Sequence, residues 1–126
     1  MRIDLIRTVG AVGVCLTVAA APLGAQSYRW TAANVALAAG ATAGLLIDWS
    51  QTSQAMQQGW VEANPILGAH PSLRRLTTYN LVALSATLGV GAALPSGWRS
   101  LWFAGIAALE FYAITGNAAA GLHVGF

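Results

Sequence analysis

The chain has 126 residues, of which 56% are hydrophobic and only 8% are charged, with a formal net charge of +2. A typical soluble domain carries about 25% charged residues, so this composition excludes an ordinary water-exposed surface. Runs of roughly 20 mainly apolar residues, each long enough to cross a bilayer, account for almost all of the length. We therefore expect one membrane domain with no separate soluble catalytic module, and a small positive charge that reflects topology rather than nucleic-acid binding.

The first 25 residues predict a targeting segment. Two arginines precede an apolar run over 8–21, and a proline and Ala25 follow it. A basic start, an apolar centre and a small final residue are typical of a secretory signal peptide, here cleaved after Ala25. Leu23 is larger than the residue usual at its position, so an uncleaved signal anchor forming a fourth helix is the alternative. Residues 26–126 then form a single transmembrane helical domain.

The first predicted span covers residues 30–48. Small residues recur along it at steps of four, at Ala36, Gly40 and Gly44, and the next step reaches Asp48. Such a ridge of small residues lets another helix approach closely, so we expect it to be the contact face of this span. The carboxylate of Asp48 is then expected to face protein rather than lipid.

A polar loop over 49–71 follows the first span. Residues 50–58 suit an amphipathic helix, and Gly59 is suited to closing that helix in a left-handed cap. Asn64 precedes a proline, an order that disfavours helix and predicts a turn. We expect Pro71 at the first position of the next helix, where its missing N–H costs nothing.

Two further spans are predicted over 72–94 and 98–122, joined by a short turn. On the former span, small and polar residues fall at steps of three and four, which predicts the face that is turned toward the bundle. These residues are Thr77, Asn80, Ala83, Thr87 and Gly91. The last span holds Glu110 near its middle and Asn117 seven residues later, on the same helical face.

The basic residues predict the orientation of the chain in the membrane. One side holds Arg2, Arg7, Arg74 and Arg75, and the other side holds Arg29 and Arg99. Because basic residues favour the cytoplasmic side, we expect loop 49–71 to be cytoplasmic in a multi-pass protein of the bacterial inner membrane. Trp98, Arg99 and Trp102 are predicted to form an interfacial belt at the start of the last span.

Glu110 is the most informative single residue. A carboxylate near the centre of a bilayer costs at least a few kcal/mol unless it is protonated, paired or in a polar cavity. One interpretation makes Glu110 a proton carrier, a general base or a metal ligand, with Asp48, Asn80 and Asn117 as further candidate catalytic residues. The other makes it a neutral acid that is hydrogen-bonded to Asn80, Asn117 or a backbone carbonyl and sets the helix register.

Spacings typical of catalytic or metal sites do not accompany these acids. The sequence has no H-E-x-x-H, no G-x-S-x-G and no pair of cysteines, and we predict no metal site. His123 stands four residues after Ala119 near a helix end. That placement is compatible with axial ligation of haem or a chlorophyll-type pigment, with an ordinary interfacial histidine as the alternative.

The polar loop and the end of the first span carry a recognisable signature. Its residues are Asp48, Trp49, Gln51, Thr52, Glu62, Asn64, Pro65, Leu67, Gly68, His70, Pro71 and Ser72. The pattern D-W-x-Q-T followed by E-x-N-P-x-L-G-x-H-P-S resembles that of a family of small bacterial and prophage membrane proteins without an established activity. The resemblance covers about 25 residues and implies a helical membrane protein in which this loop is important.

Together these observations predict an all-α integral membrane bundle of three transmembrane helices plus the N-terminal signal peptide or signal-anchor helix. The function they favour is a small structural or accessory subunit that packs against partner helices in a larger membrane complex. The alternatives are an intramembrane enzyme or proton-coupled site centred on Glu110, and haem or pigment attachment through His123. The expected partners are the lipid bilayer and other membrane protein subunits, without nucleic acid.

Overall fold

A computed structural model of the chain describes residues 27–124, and within this range it consists of three α-helices without strands. Helix α1 covers Ala32–Gln57, α2 covers Leu73–Ala93 and α3 covers Ser96–Ala119. The predicted all-α fold is confirmed, and α1 and α2 are long and apolar enough to cross a membrane. The predicted signal peptide or signal anchor over 1–25 lies outside the described residues.

The bundle runs up, down and up, so that α1 and α3 are parallel and α2 is antiparallel to both. Contacts between α1 and α3 follow chain order, since Asn34 bonds to Ser100 near the start of both helices and Asp48 bonds to Asn117 farther along. This α1–α3 interface is the most extensive of the three. The helix α1 continues through the segment predicted as a separate amphipathic helix and ends at Gln57.

Local sequence explains both ends of α1. The hydroxyl of Thr31 accepts a hydrogen bond from the N–H of Asn34 at 3.1 Å, and the Asn34 side chain accepts one from the N–H of Thr31 at 3.3 Å. This reciprocal capping box satisfies N–H groups that lack a partner within the helix. At the other end Gly59 adopts φ +79° and the N–H of Trp60 bonds back to the carbonyl of Ala55, which confirms the predicted left-handed cap.

Polar and glycine caps also delimit the other two helices. Ser72 caps α2, with its hydroxyl accepting a hydrogen bond from the N–H of Arg75 at 3.2 Å. The prediction that Pro71 is the first helical residue is therefore wrong, because the serine after it supplies the side-chain acceptor that an N-cap requires. Helix α3 is followed by Gly121 at φ +90°, and Leu122 after it is buried.

The contact face predicted for α1 is wrong in its first half. Gly44 packs against α3, and Asp48 accepts a hydrogen bond from α3. Ala36 and Gly40, in contrast, are exposed. Four residues turn about 40° more than one full circle, so a ridge at steps of four winds away from a neighbouring helix. The observed face mixes steps of three and four. Its buried members, on either side of Asp48, are Asn34, Ala38, Ala41, Leu45, Gln51 and Ala55.

The predicted inward stripe of α2 is confirmed at Thr87 and Gly91, which are both buried. Glycine is needed at 91 because a Cβ there would overlap the ring of Phe103. That ring is fully buried and also packs against Ala38 and Ala41 of α1. Small residues on two helices thus create the space that one large side chain on the third helix fills.

Arg99 closes the end of the bundle at which α2 ends and α1 and α3 begin. Its side chain is only 1% exposed, and its hydrogen bonds go almost entirely to backbone carbonyls. The carbonyl acceptors are those of Leu94 at 2.7 Å, Gly91 at 2.8 Å, Tyr28 and Ala92 at 3.2 Å and Arg29 at 3.3 Å. The ring of Trp30 lies 4.4 Å from the guanidinium carbon.

This environment suits a cation without a carboxylate partner. The last carbonyls of a helix carry partial negative charge, and the face of an indole ring attracts a guanidinium. Arg99 was predicted to lie in an interfacial belt. The structure instead buries it, and it joins the end of α2 to the segment that leads into α1.

Replacing Gly91 with Ala tests the packing around Phe103. We expect the free energy of unfolding to fall by about 1–3 kcal/mol, because the new methyl group and the buried ring cannot occupy the same space. Gly89→Ala is the matched control on the same helix, since no atom lies within 4 Å of its Cβ position. It should leave stability unchanged or raise it by up to about 1 kcal/mol. Denaturant unfolding followed by circular dichroism measures both, and equal effects would contradict this packing.

Candidate functional site

Glu110 lies on α3 directly against Gly44 of α1. A Cβ on Gly44 would lie 2.6 Å from the Cβ of Glu110, so the absence of a side chain at 44 lets the two helices meet at the acid. The Oε2 atom of Glu110 is buried and has no hydrogen-bond partner among the described residues. A buried polar atom without a partner costs free energy, and such atoms are uncommon in native proteins.

A second acid lies one helical turn farther along the same interface. Asp48 accepts a hydrogen bond from the side-chain amide of Asn117 at 3.0 Å, and it is close enough to Glu110 for the two carboxyl groups to interact electrostatically. Glu110 was predicted to bond to Asn80, Asn117 or a backbone carbonyl if it is a structural acid. The amide of Asn117 instead donates to Asp48, and among the described residues the Oε2 of Glu110 makes none of the three predicted bonds. Asn80 is half-buried on α2 and makes no hydrogen bond to Glu110 within residues 27–124.

The polar interior continues beyond Asp48 toward the end of α3. Gln51 is 2% exposed, and its amide nitrogen donates to the carbonyl of Leu122 at 3.4 Å while its Oε1 atom is buried without a partner. The side chain of Gln54 accepts a hydrogen bond from the N–H of His123 at 3.1 Å. These contacts fasten the end of α3 to α1, and they add a second unpaired oxygen to the interior.

The signature residues of the loop shape its backbone. The carboxylate of Glu62 accepts a hydrogen bond from the N–H of Asn64 at 2.8 Å, and the side chain of Asn64 accepts one from the N–H of Ile66 at 3.0 Å. The predicted turn at Asn64 and Pro65 is confirmed, since the N–H of Gly68 bonds back to the carbonyl of Asn64 at 3.1 Å. This is the local competition with helix for which asparagine before proline is suited.

The second half of the signature holds the loop against the bundle. Gly68 adopts φ +80°, a conformation that glycine tolerates without strain, and Leu67 before it is 4% exposed. Pro71 is buried, whereas the side chain of His70 is exposed. Thr52 is half-buried on α1, away from this turn in sequence. Several members of the signature therefore have a structural explanation. His70 is exposed and makes no hydrogen bond through its side chain among the described residues.

Two other predicted possibilities have little support from the geometry. Within residues 27–124, histidine, cysteine, aspartate and glutamate side chains form no group of three that could hold a metal ion. The side chain of His123 is exposed and lies just beyond the end of α3. Ligation of haem or a pigment by His123 stays a prediction.

Comparisons with protein-family models, curated proteins and solved structures found no match for this chain. The family resemblance of the loop signature accordingly stays a prediction.

Sequence reasoning missed the pairing of Asp48 with Asn117, and the seven-residue spacing in the two helices does not supply it. Residues spaced by seven lie on one face of a helix, and Phe103, Glu110 and Asn117 share this spacing on α3. Asp48 lies seven residues after Ala41, which packs against Phe103. Aligning these two seven-residue series places Asp48 opposite Glu110, one step short of Asn117, so this spacing does not predict the observed pair.

The bond between Asp48 and Asn117 can be tested with a double-mutant cycle. We expect the double variant Asp48→Ala and Asn117→Ala to be less destabilised than the sum of the two single variants, by about 1 kcal/mol or more. The reason is that each single change leaves the other polar group without its hydrogen-bond partner. Denaturant unfolding of the four proteins measures this coupling. The control is Thr115→Ala on α3, because the hydroxyl of Thr115 bonds only to carbonyls of its own helix. Its effect should add to that of Asp48→Ala without coupling. Additive effects of Asp48→Ala and Asn117→Ala would contradict the contact.

Proposed function

We propose that the chain is a multi-pass protein of the bacterial inner membrane, with α1, α2 and α3 as its spans and the loop between α1 and α2 on the cytoplasmic side. The observation that supports a membrane location is the distribution of side chains. Large apolar residues point outward, with Phe111 69% and Leu101 65% exposed, while Arg99, Asn34 and Gln51 are buried. Lipid favours such an arrangement, and water opposes it.

Within that membrane, we propose that the bundle is an accessory subunit which packs against a helix of a partner protein. The support comes from the part of the α1 ridge that the chain itself leaves unused. Ala36 and Gly40 are exposed, and nothing lies within 4 Å of a Cβ on Gly40. In lipid, helices associate mainly through close packing at small residues, so an unoccupied ridge is suited to receiving a second helix.

Gly40→Leu tests this role. The leucine side chain points away from the neighbouring helices and favours helix, so we expect the bundle to fold normally. It should nevertheless block close approach of a partner and reduce copurification in mild detergent by about tenfold or more. Quantitative mass spectrometry of the purified complex measures the loss.

Gly105→Leu is the matched control, because Gly105 is also exposed on a helix with open space at its Cβ position. It lies on α3, away from the α1 ridge. Retention of the same partners by Gly40→Leu, or purification of the wild-type chain alone, would count against an accessory role for this ridge.

A second candidate function is supported by the unpaired oxygen of Glu110. A carboxyl group that is buried beside Asp48 without a donor is suited to binding and releasing a proton, which would make the α1–α3 interface a proton-coupled site. The flanking amides of Gln51 and Asn117 belong to the same polar interior. In this view Glu110 carries the proton, and the charge of the neighbouring Asp48 influences whether Glu110 holds that proton.

Glu110→Gln separates the two functions. Glutamine has nearly the same size, so helix packing and partner binding should persist, whereas proton movement in reconstituted vesicles containing a pH-sensitive dye should be abolished. Glu62→Gln is the control, because this loop residue acts as an acceptor for the N–H of Asn64 and glutamine can replace it in that bond. Proton movement that survives Glu110→Gln would exclude Glu110 as the carrier.

A further inference from the structure

A surface cleft lies where the loop meets the first turns of α2. Its volume is about 410 Å³, and its lining includes Ile66, Leu67, Arg74, Arg75, Thr78 and Tyr79. No lining residue is acidic. The cleft is therefore a basic, hydroxyl-bearing depression with an apolar edge, of the size at which small-molecule sites begin, roughly 300–1,000 Å³.

The two arginines in this cleft differ in how they are held. The guanidinium of Arg75 donates to the carbonyl of Ile66 at 2.7 Å, which anchors it against the loop. A guanidinium has five N–H donors, so this single bond leaves most of them available to a ligand. Arg74 is exposed and makes no ion pair within the described part of the chain. Two arginines that line one cleft without a balancing carboxylate favour an anion with several oxygens, such as a phosphate.

The apolar edge indicates what the phosphate is attached to. Ile66 is 57% exposed at the cleft. Leu73, which is next to the lining residue Ser72 in sequence but does not line the cleft, is 48% exposed. Tyr79 adds an amphipathic ring of the kind that is common at the membrane surface. A free anion gains nothing from these apolar groups, whereas a lipid presents its phosphate and its hydrocarbon chains to the two parts of the surface together.

We propose that this cleft binds the phosphate headgroup of an anionic membrane lipid. The inference rests on the proposed membrane location, which puts the start of α2 at the cytoplasmic surface. That leaflet carries anionic lipid, and its negative surface potential attracts basic residues that lie near it. The loop signature then has a second consequence, because the turn that it builds presents the Ile66 carbonyl that positions Arg75.

Native mass spectrometry of the full chain in detergent tests the site. Three probes are titrated separately: phosphatidylglycerol, zwitterionic phosphatidylcholine and inorganic phosphate. We expect phosphatidylglycerol to be retained more tightly than either of the others. Arg74→Gln should weaken its retention about tenfold, which corresponds to losing one charge-assisted contact. Because Arg74 makes no contact that holds the loop, this variant should keep the fold.

Arg29→Gln is the matched control, since it removes the same charge at the opposite end of the bundle. Arg75→Lys is a second variant that keeps the charge but loses the planar pairing, and it should also weaken retention of the lipid. Equal retention of phosphatidylglycerol and phosphatidylcholine would overturn the proposal. So would an equal loss in Arg29→Gln.

The inorganic phosphate probe separates this proposal from the membrane location on which it rests. Binding of phosphate as tight as that of the lipid, and lost in Arg74→Gln, would identify a site for a free anion and overturn the lipid assignment. A chain that stays folded and monomeric without detergent would overturn the membrane location itself. Retention of phosphatidylglycerol that does not depend on Arg74 would overturn the cleft alone and leave the membrane location standing.

Discussion

The buried guanidinium of Arg99 is the group on which the arrangement of the three helices most depends. It is directed at carbonyls from the end of α2 and from the segment that precedes α1, while its own backbone belongs to the first turn of α3. A buried cation without these acceptors would cost several kcal/mol, so the three chain segments must meet at this point. Trp30 covers the guanidinium from one side and contacts Phe103, which links the polar cluster to the apolar core below it.

The same physical constraint runs along the interface between α1 and α3. A chain with few polar side chains and an apolar exterior has to pair those side chains internally, as Asn34 does with Ser100 and Asp48 does with Asn117. Glu110 departs from this pattern, because Gly44 makes room for it but nothing described donates to its buried oxygen. The Oε1 of Gln51 and the Oγ of Ser53 are also buried without a partner among the described residues, and Glu110 is the ionisable member of this set. Such departures from pairing are where a functional role is expected.

The loop between α1 and α2 shows how a distinctive sequence can have a structural origin. Glu62 and Asn64 accept hydrogen bonds from backbone N–H groups, and Gly68 adopts a left-handed conformation. These signature residues therefore stabilise one compact loop. The consequence for function is indirect. The turn holds the carbonyl that anchors Arg75, and it thereby shapes the basic cleft at the start of α2.

Within residues 27–124, the sequence by itself determined the three long helices, the cap at Gly59, the turn at Asn64 and the inward position of Thr87 and Gly91 on α2. These features depend on neighbours a few residues apart, so local periodicity and backbone preferences are sufficient to predict them. The tertiary structure alone decided that Ala36 and Gly40 face outward, that Asn117 bonds to Asp48 and that Arg99 is buried. The bond from Asn117 to Asp48 and the bonds from Arg99 to Arg29 and Tyr28 join residues 69 to 71 positions apart. The helix register that allows them, and that turns Ala36 and Gly40 outward, depends on how Phe103 fits between α1 and α2, which no local pattern encodes.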